Sequence, residues 1–350
     1  AASDVYKRQL QGRALLPGFI DGHSHITALA QTLLLCDLHG AKSFSEIAER
    51  LRAFCAARQT TPGEWVMGFG YDPTALAENA HPTAEFLDRA LPENPALLTH
   101  ASGHMGVLNS AAMQALGVTR DSEAPEGGVI GRKPDGTPNG YLEEAAFTQL
   151  SARMPRPGAK QTAQSLLAAE RIYLENGVTT VQDGLTRAPE WALLTGVREK
   201  LTADVVAYVD IACADLLREN AAYADSFRGK LRIGGYKLFL DGSPQGRTAW
   251  MTAPYAGETD YRGYPIHTDG EVERCMLKAV RENRQILVHC NGDAAADQMI
   301  AAYRKARAAC PNNVRPVMVH AQLVRRDQLA EMARLGMLAS FFAAHVYHWG

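Results

Sequence analysis

The sequence predicts an α/β fold, specifically a (β/α)8 TIM-like barrel, and three observations favour that class. From about residue 170 onward, short apolar runs that end in Gly, Asp or Asn alternate with amphipathic stretches. The chain has 350 residues and 46% hydrophobic content, enough for one barrel of about 250 residues with an insertion. Histidines follow several of the apolar runs, at the strand ends where barrels collect their functional groups.

The apolar runs are interpreted as buried parallel strands because they are continuous rather than alternating. Between them, residues 271–283 and 295–310 carry apolar side chains at i, i+3 and i+4 spacing, which predicts helices. Strand–helix alternation of this kind implies a parallel sheet. The predicted strands are 18–25, 178–184, 203–210, 232–242, 285–293, 315–322 and 337–342.

The barrel is expected to occupy residues 17–350, with an insertion or lid after its first strand. Residues from about 40 to 165 break the strand–helix rhythm and include a Gly/Pro-rich stretch, 125–145, that is interpreted as a loop. The first nine residues have no helix or strand period and are treated as a tail. Seven strands are predicted and the sequence stops without an eighth, so the barrel is expected to lack its last unit.

Four histidines stand at the ends of three predicted strands. His23 and His25 are two apart in "GFIDGHSH", so strand alternation would place both on one face. His289 ends "ILVH" and His320 ends "VMVH". A single histidine in such a place is more often a hydrogen-bonded structural group. Four together favour a divalent-metal site, because neutral imidazole is the commonest ligand of zinc-like ions.

Lys237 lies inside the apolar strand "GGYKLFLDG", where an unpaired ammonium is costly to bury. One interpretation is an ion pair with Asp241 or Asp183. The other is that its amine has reacted with carbon dioxide, giving a carboxylated lysine whose anionic carbamate could bridge two metals. The sequence leaves both interpretations open.

Composition limits the classes of partner. The formal charge of −2, from 36 basic and 38 acidic residues, gives no electrostatic footprint for nucleic acid or an anionic membrane. No apolar segment approaches the length of a transmembrane span. Six scattered cysteines without a C-x-x-C pair are typical of reduced thiols and a cytoplasmic setting. The expected partner is a small-molecule substrate, and a homo-oligomer is possible in principle.

Together the motifs resemble the amidohydrolase superfamily. More narrowly, the chain is similar to amidohydrolase family 3, the branch that includes YtcJ-like proteins and N-substituted formamide deformylases. The resemblance covers nearly the whole chain from residue 10 onward. The matching segments, in order, are "LLPGFIDGHSH", "SGHMGVLNSAAMQALGV", "GGVIGRKPDGTPNGYLEEA", "GVTTVQDG", "YKLFLDGSPQGRTAW", "ILVHCNGDAA", "VMVHAQ" and "AAHVYHWG".

The resemblance implies a ligand set and a reaction. It makes His23 and His25 the first-strand metal ligands, Lys237 the bridging lysine, and His289 and His320 the ligands from the fifth and sixth strands. One or two divalent ions, zinc by expectation, would activate a water to cleave the C–N bond of an amide or N-substituted formamide. A deaminase or esterase on the same scaffold, and an inactive binding scaffold, are the alternatives.

Two departures from the family pattern bear on activity. The family places an aspartate at the end of strand eight as metal ligand and general base, and this sequence ends before that position. Of the small β-domain that the family builds from both termini, only a remnant is expected within residues 1–16. The resemblance therefore predicts that the chain is a fragment of the enzyme.

Further side chains are candidates for holding the substrate. The resemblance places His104 in a segment that roofs the pocket, where it could stabilise an oxyanion and act as a catalytic residue beside Lys237. A histidine bonded to its own loop is the alternative. Asp241, Ser243 and Arg247 could orient the substrate, although Arg247 could instead pair with Asp241. His345 belongs to a set of aromatic side chains that would line the pocket or pack in the core.

Overall fold

The computed structural model describes residues 9–244 and 246–349, so residues 1–8 of the predicted tail lie outside the described residues. The chain divides into two compact units. The large unit comprises the residues up to Leu29 together with those from Leu166 onward, and the inserted unit comprises Ala30–Ser165. The insertion was expected from about residue 40, and its role as a lid stays a prediction.

The strands of the described residues are, in chain order, β1 (Phe19–Ile20), β2 (Cys36–Asp37), β3 (Val66–Tyr71), β4 (Ala96–His100), β5 (Met105–Leu108), β6 (Gly128–Arg132), β7 (Pro138–Glu143), β8 (Val178–Thr186), β9 (Asp204–Asp210), β10 (Leu231–Phe239), β11 (Gln285–Cys290), β12 (Val317–His320) and β13 (Leu338–Phe341). Each of the seven predicted strands corresponds to one of these elements.

The α-helices of the described residues are α1 (Ile26–Thr32), α2 (Phe44–Arg58), α3 (Ala84–Ala90), α4 (Ser110–Leu116), α5 (Glu144–Ser151), α6 (Ala159–Glu175), α7 (Ala188–Val197), α8 (Ala214–Glu219), α9 (Ala221–Asp225), α10 (Asp269–Arg281), α11 (Asp293–Ala309), α12 (Arg326–Leu335) and α13 (Ala344–Trp349). Within the described ranges, the chain has no helix with the length and apolarity that a membrane crossing requires.

Over the described residues, the large unit contains one seven-stranded sheet in the order β1-β8-β9-β10-β11-β12-β13. All six neighbouring pairs are parallel, and the strand order follows the chain. This confirms the predicted α/β class and the parallel sheet. Strands β9 to β12 are well buried because helices cover the sheet, as continuous apolar strands require.

The sheet is curled into a half-barrel. Strands β1 and β12 are five strand spacings apart in the sheet order, which would be about 24 Å in a flat sheet. The imidazole of His23, just after β1, nevertheless lies 5.8 Å from that of His320, at the end of β12, between ring centroids. Only strong curvature can bring the two strand ends together, and it gathers the carboxyl ends of the strands around one space.

Strands β1 and β13 are the two edges of this sheet, and they were predicted as buried strands. That part of the prediction is wrong: the side chains of Phe19 and Ile20 are 57% and 77% exposed, and Phe341 of β13 is 62% exposed. The reason is topological, because an edge strand pairs on one side only and receives less cover than a central strand.

The start and the buried face of α10, a helix of the large unit, follow from its sequence. In α10, Thr268 caps the amino terminus: its hydroxyl accepts from the Glu271 backbone N–H, and the Glu271 carboxylate accepts from the Thr268 backbone N–H at 2.8 Å. This is a capping box. The side chains at i, i+4, i+7 and i+8 from Val272 form the buried stripe of the helix.

The inserted unit has its own sheet, in the order β2-β3-β4-β5-β7-β6, with two apolar clusters. The loop predicted at 125–145 is wrong, because β6 and β7 form an antiparallel hairpin there. Ile130 pairs with Leu142, and both side chains are buried. Asp135 accepts hydrogen bonds from the backbone and hydroxyl of Thr137 and so closes the turn, which explains why a Gly/Pro-rich segment still forms strands.

Candidate metal centre

His23 and His25 lie beyond β1 rather than on it, so the predicted continuation of the strand through residue 25 is wrong. The Asp21 carboxylate accepts hydrogen bonds from the His23 backbone N–H at 3.2 Å and from the Ser24 hydroxyl. These bonds turn the chain after Ile20. The two imidazoles still meet, with their ring centroids 5.1 Å apart and their planes at 75°.

Strand β8 holds this turn in place. The Asp183 carboxylate, which is fully buried, accepts from the Thr27 backbone N–H at 3.2 Å and from the Thr27 hydroxyl at 2.6 Å. Its other oxygen accepts from the Thr186 hydroxyl at 2.6 Å. Burial raises the pKa of Asp183, and these hydrogen bonds oppose the shift. The carboxylate therefore ties the start of α1 to the sheet.

Gly184 leaves room for the two imidazoles. A Cβ atom at this position would lie 2.6 Å from Cε1 of His23 and 3.0 Å from Cε1 of His25. Real Cβ atoms essentially never lie closer than 3.0 Å to another heavy atom, so a side chain here would displace the His23 ring and crowd the His25 ring. The glycine that follows "VTTVQD" is thus part of the site.

Lys237 of β10 is fully buried, and its Nζ atom lies 3.2 Å from Nε2 of His23. Among the ion pairs of the described residues, none includes Lys237, so neither predicted pairing, with Asp241 or with Asp183, is formed. Burial alone lowers the pKa of Lys237 to about 7. An amine in this state is neutral in a large share of molecules at neutral pH.

His289 and His320 reach the same space by different routes. His289 shares its register position with Phe239 of β10, whereas His320 pairs with Cys290, the neighbour of His289 on the opposite face of β11. The backbone of His320 and Ala321 is left-handed, with φ of 71° and 47°. This departure from strand geometry accounts for the His320 ring lying on the His289 side, 4.8 Å away between centroids.

The five predicted ligands are therefore close neighbours, linked pairwise by ring contacts and by the His23–Lys237 contact. Their arrangement is not yet that of a coordination sphere. Within 9–244 and 246–349, no group of three or more His, Cys, Asp or Glu side chains is placed so that it could hold a metal ion as it stands. One nitrogen of His289, Nε2, faces the Gly242 carbonyl at 3.1 Å and the Asn291 amide at 3.2 Å. The ligand roles stay predictions.

All four imidazoles are neutral at pH 7. Burial, followed by the charge of Lys237, lowers the pKa of His23 to about 3 and that of His25 to about 4. Burial lowers the pKa of His289 to about 4 against the opposing bond with the Gly242 carbonyl. Burial, followed by the charge of His289, lowers the pKa of His320 to about 3.

The chemistry of this donor set fits a divalent ion. Zinc-like ions take neutral imidazole nitrogen as ligand, and here no imidazole proton has to be lost at neutral pH before binding. Four imidazoles and one amine provide no negative charge, which an anionic ligand would have to add.

A cavity of about 370 Å³ opens beside the imidazoles. Its lining includes His23, His25 and His320 together with the apolar side chains of Phe341 and Phe342. The remaining lining residues are Asp21, Gly22, Val319 and Ser340. The cavity thus offers a small ligand both polar donors and an apolar wall.

Asp241 was predicted to contact substrate or to pair with Arg247, and its carboxylate has backbone partners in the structure. Its carboxylate is buried and accepts from three backbone N–H groups, those of Trp250 at 3.0 Å, Asn291 at 3.0 Å and Gly292 at 2.7 Å. These bonds join the loop after β10 to the loop after β11. The predicted Arg247–Asp241 pair is wrong, because Arg247 pairs with Glu258 at 2.7 Å.

The other predicted substrate contacts have defined neighbours. The Ser243 hydroxyl accepts from the Gly246 backbone N–H at 3.2 Å, within its own loop. The His345 ring lies 5.6 Å from that of His320 and 4.9 Å from that of Phe342. His104, in the inserted unit, has its Nδ1 atom 3.2 Å from the carboxylate of Glu144, the first residue of α5 and not part of the histidine's own loop. Its role in catalysis stays a prediction.

Two candidate functional residues, Gln182 and Gly184, were not predicted from the sequence. Gln182 of β8 places its Oε1 atom 3.3 Å from Nδ1 of His23, and Gly184 makes room for the rings. The available signal was a polar residue within an apolar run, "VTTVQDG", next to an aspartate and a glycine. A sequence pattern cannot say that its amide turns toward a histidine more than 150 positions away.

Comparison with known proteins gives a consistent result. The sequence pattern of the Amidohydrolase family matches residues 9–350. The chain is 27% identical to YtcJ of Bacillus subtilis, whose name assigns it to the amidohydrolases, over 97% of this chain and 65% of that protein. It is 26% identical to the N-substituted formamide deformylase of Arthrobacter pascens, over 100% of this chain and 66% of that protein.

The fold has solved counterparts. An uncharacterized metal-dependent hydrolase from Pyrococcus furiosus superposes with a TM-score of 0.72 and is 27% identical, over 95% of this chain and 66% of that structure. The chain therefore spans slightly less than two thirds of the length of each of these proteins.

Proposed function

Because this chain belongs to the Amidohydrolase family, we propose that it is the metal-binding part of a hydrolase that cleaves the C–N bond of an amide or N-substituted formamide. One observation carries the proposal: His23, His25, Lys237, His289 and His320 meet at the carboxyl ends of strands of a single curled sheet. The substrate class follows the relative named as an N-substituted formamide deformylase.

In this proposal the four imidazoles and Lys237 hold one or two divalent ions, with zinc the first candidate. A bound ion of this kind supplies Lewis acidity, which polarises a carbonyl and makes water nucleophilic at neutral pH. The four imidazoles and the Lys237 amine carry no negative charge, so a bound cation would need an anionic ligand to balance its charge. A carbamate on Lys237 would provide one: the amine lone pair adds to carbon dioxide and the nitrogen loses a proton.

The residues that line the cavity would orient the substrate. His23, His25 and His320 are among the residues that line the cavity, so the reacting carbonyl would lie beside their rings. Phe341 and Phe342 form an apolar wall suited to a hydrophobic substituent on the amide nitrogen. Binding that substituent would fix the orientation of the carbonyl toward the imidazoles.

We do not assign the role of general base to Asp183, Asp241 or Asp293. Asp183 accepts from Thr27 and Thr186, and Asp241 accepts from three backbone N–H groups. Asp293 accepts from the Thr252 backbone N–H at 2.8 Å and from Arg325 at 2.9 Å. Their oxygens are committed to holding loops, so a proton acceptor is better sought outside this set.

Metal analysis tests the proposal. The purified protein is expected to bind one or two equivalents of zinc, cobalt or manganese after dialysis, and the double variant His23→Ala/His25→Ala to lose most of that metal. His39→Ala is the matched control, because His39 is an exposed histidine that contacts Asp37 in the inserted unit. Absence of bound metal, or equal metal content in the double variant, would rule the proposal out.

A substrate panel tests the reaction class. Hydrolysis is measured on simple amides, on formamides with an apolar N-substituent such as benzyl, on aryl esters and on aminopyrimidines. Preferential cleavage of the formamides supports the proposed class. Preferential ester cleavage or deamination would replace it with one of the alternatives that share the same metal centre.

A further inference from the structure

The amide of Gln182 has only one orientation that satisfies its neighbours. Its Nε2 atom lies 3.0 Å from the Gly22 carbonyl oxygen, and a carbonyl can only accept a hydrogen bond. The –NH2 group must therefore face Gly22. The amide oxygen, Oε1, then faces Nδ1 of His23 at 3.3 Å.

This orientation decides where the His23 proton lies. An amide oxygen can only accept, so Nδ1 of His23 must carry the hydrogen and donate to Gln182. Nε2 is then left with a free lone pair. That atom lies 3.2 Å from Nζ of Lys237, and an amine N–H can donate to it. The contact with Gln182 thus requires the Nδ1–H tautomer, and the contact with Lys237 is compatible with it.

We propose that Gln182 is a positioning residue that fixes His23 in the Nδ1–H tautomer and so keeps Nε2 free to bind a divalent cation. The inference rests on the proposed function, since His23 is a candidate ligand there. Side-chain partners of ligating histidines set tautomer and ring orientation in metal sites, and their loss commonly weakens metal binding about 10- to 100-fold.

Gln182 is itself held firmly enough to act in this way. Its backbone N–H donates to the Asp21 carboxylate at 3.2 Å, and the Ser24 hydroxyl lies 3.4 Å from its carbonyl oxygen. The Tyr173 hydroxyl donates to that of Ser24 at 2.6 Å. The residue that orients His23 therefore belongs to the same hydrogen-bonded group as the turn that carries His23.

The test reads the tautomer directly in the metal-free protein. Nitrogen-15 NMR of histidine-labelled protein, in chelator-treated buffer free of carbon dioxide, distinguishes protonated from unprotonated ring nitrogens. The His23 signals are assigned by their loss in His23→Ala. We expect the wild-type protein to show His23 protonated at Nδ1 only.

Three variants separate the role of the amide from a general effect on folding. Gln182→Met keeps the length of the side chain but cannot accept from Nδ1, so the Nε2–H form should appear and zinc affinity should fall about 10- to 100-fold in a chelator competition. Gln182→Glu retains an acceptor and should preserve the Nδ1–H form. Gln285→Met is the matched control: this strand glutamine also donates to a backbone carbonyl, that of Arg315, at 2.9 Å.

The possible outcomes are distinct. Protonation of His23 at Nε2 in the wild-type protein would overturn the inference without any variant. An unchanged Nδ1–H tautomer in Gln182→Met, or the same change in Gln285→Met, would also overturn it. If zinc binds none of the proteins but the tautomer behaves as expected, the proposed function fails while the orienting role of Gln182 stands.

Discussion

Replacing Lys237 with methionine should stabilise the metal-free protein. Lys237 has 0% of its surface exposed and no carboxylate partner among the ion pairs of the described residues, so no opposite charge offsets the removal of its own charge from water. Methionine has nearly the same length and no charge to desolvate. A group kept at a functional site against stability is expected to behave in this way.

The size of the effect follows from the pKa. Burial lowers the pKa of Lys237 from 10.5 to about 7, which at about 1.4 kcal/mol per pH unit corresponds to about 5 kcal/mol of unfavourable free energy near neutral pH. Losing the contact with His23 costs about 1 kcal/mol. We therefore expect Lys237→Met to raise the free energy of unfolding by about 2–4 kcal/mol at pH 7, with metal binding lost.

The effect should depend on pH in a defined direction. Between pH 7 and 10.5 the unfolded wild-type chain binds more protons at this lysine than the folded chain, so wild-type stability rises with pH. Lys237→Met has no titrating group at this position, so its stability lacks this dependence on pH. Its advantage should shrink by up to about 1.4 kcal/mol per pH unit and so vanish between about pH 8.5 and 10.

Urea denaturation of chelator-treated protein in carbon-dioxide-free buffer, followed by circular dichroism from pH 7 to 10, provides the measurement. Lys230→Met is the control, because Lys230 is an exposed lysine that pairs with Asp204 at 3.0 Å and its loss should change stability by less than about 1 kcal/mol. A destabilised Lys237→Met protein, or an advantage that does not change with pH, would refute the reasoning.

Three further predictions concern the surroundings of the site. Gly184→Ala should weaken zinc binding at least about tenfold in a chelator competition, since a Cβ there meets the rings of His23 and His25; unchanged affinity would contradict this. The metal-free protein should lose stability as pH falls from about 6.5 to 4. In that range His289 binds a proton in the unfolded chain but not in the folded protein, where its pKa is lowered to about 4. His289→Leu should flatten that slope by up to about 1.4 kcal/mol per pH unit in urea denaturation, and identical slopes would argue against it. Asp241→Ala should lower the free energy of unfolding by about 3 kcal/mol or more, because three backbone N–H groups lose their acceptor. Arg247→Ala removes an exposed pair with Glu258 and should cost less than about 1 kcal/mol, so comparable losses in these two variants would count against the structural role of Asp241.

The sequence was most informative where period and position alone determine structure. Continuous apolar runs located the seven strands, because burial on both faces of a parallel sheet imposes that pattern. Apolar residues at i, i+3 and i+4 spacing located α10 and α11, whereas the long helices α2 and α6 were not predicted. Histidines at strand ends were predicted to gather because carboxyl ends of parallel strands share one edge. Their mutual approach in the structure follows from the curl of the sheet.

Local backbone departures were beyond such reasoning. His320 would face away from His289 in a regular strand, and the left-handed backbone at His320 and Ala321 returns it to the site. The turn that carries His23 depends on Asp21, which the strand period treats as one more strand residue. Hydrogen-bond partners could not be predicted either. Arg247 pairs with Glu258 and not with Asp241, which is nearer in the sequence, because backbone N–H groups already occupy the Asp241 carboxylate.

X-ray absorption spectroscopy of the zinc-loaded protein tests the central claim most directly, since it reports the atoms bound to the metal. We expect a first shell of nitrogen and oxygen only, with outer-shell scattering from at least three imidazoles, and a clear loss of that scattering in His289→Ala. A shell that contains sulfur, or one whose imidazole scattering is the same in His289→Ala, would contradict the convergence of these side chains on one cation.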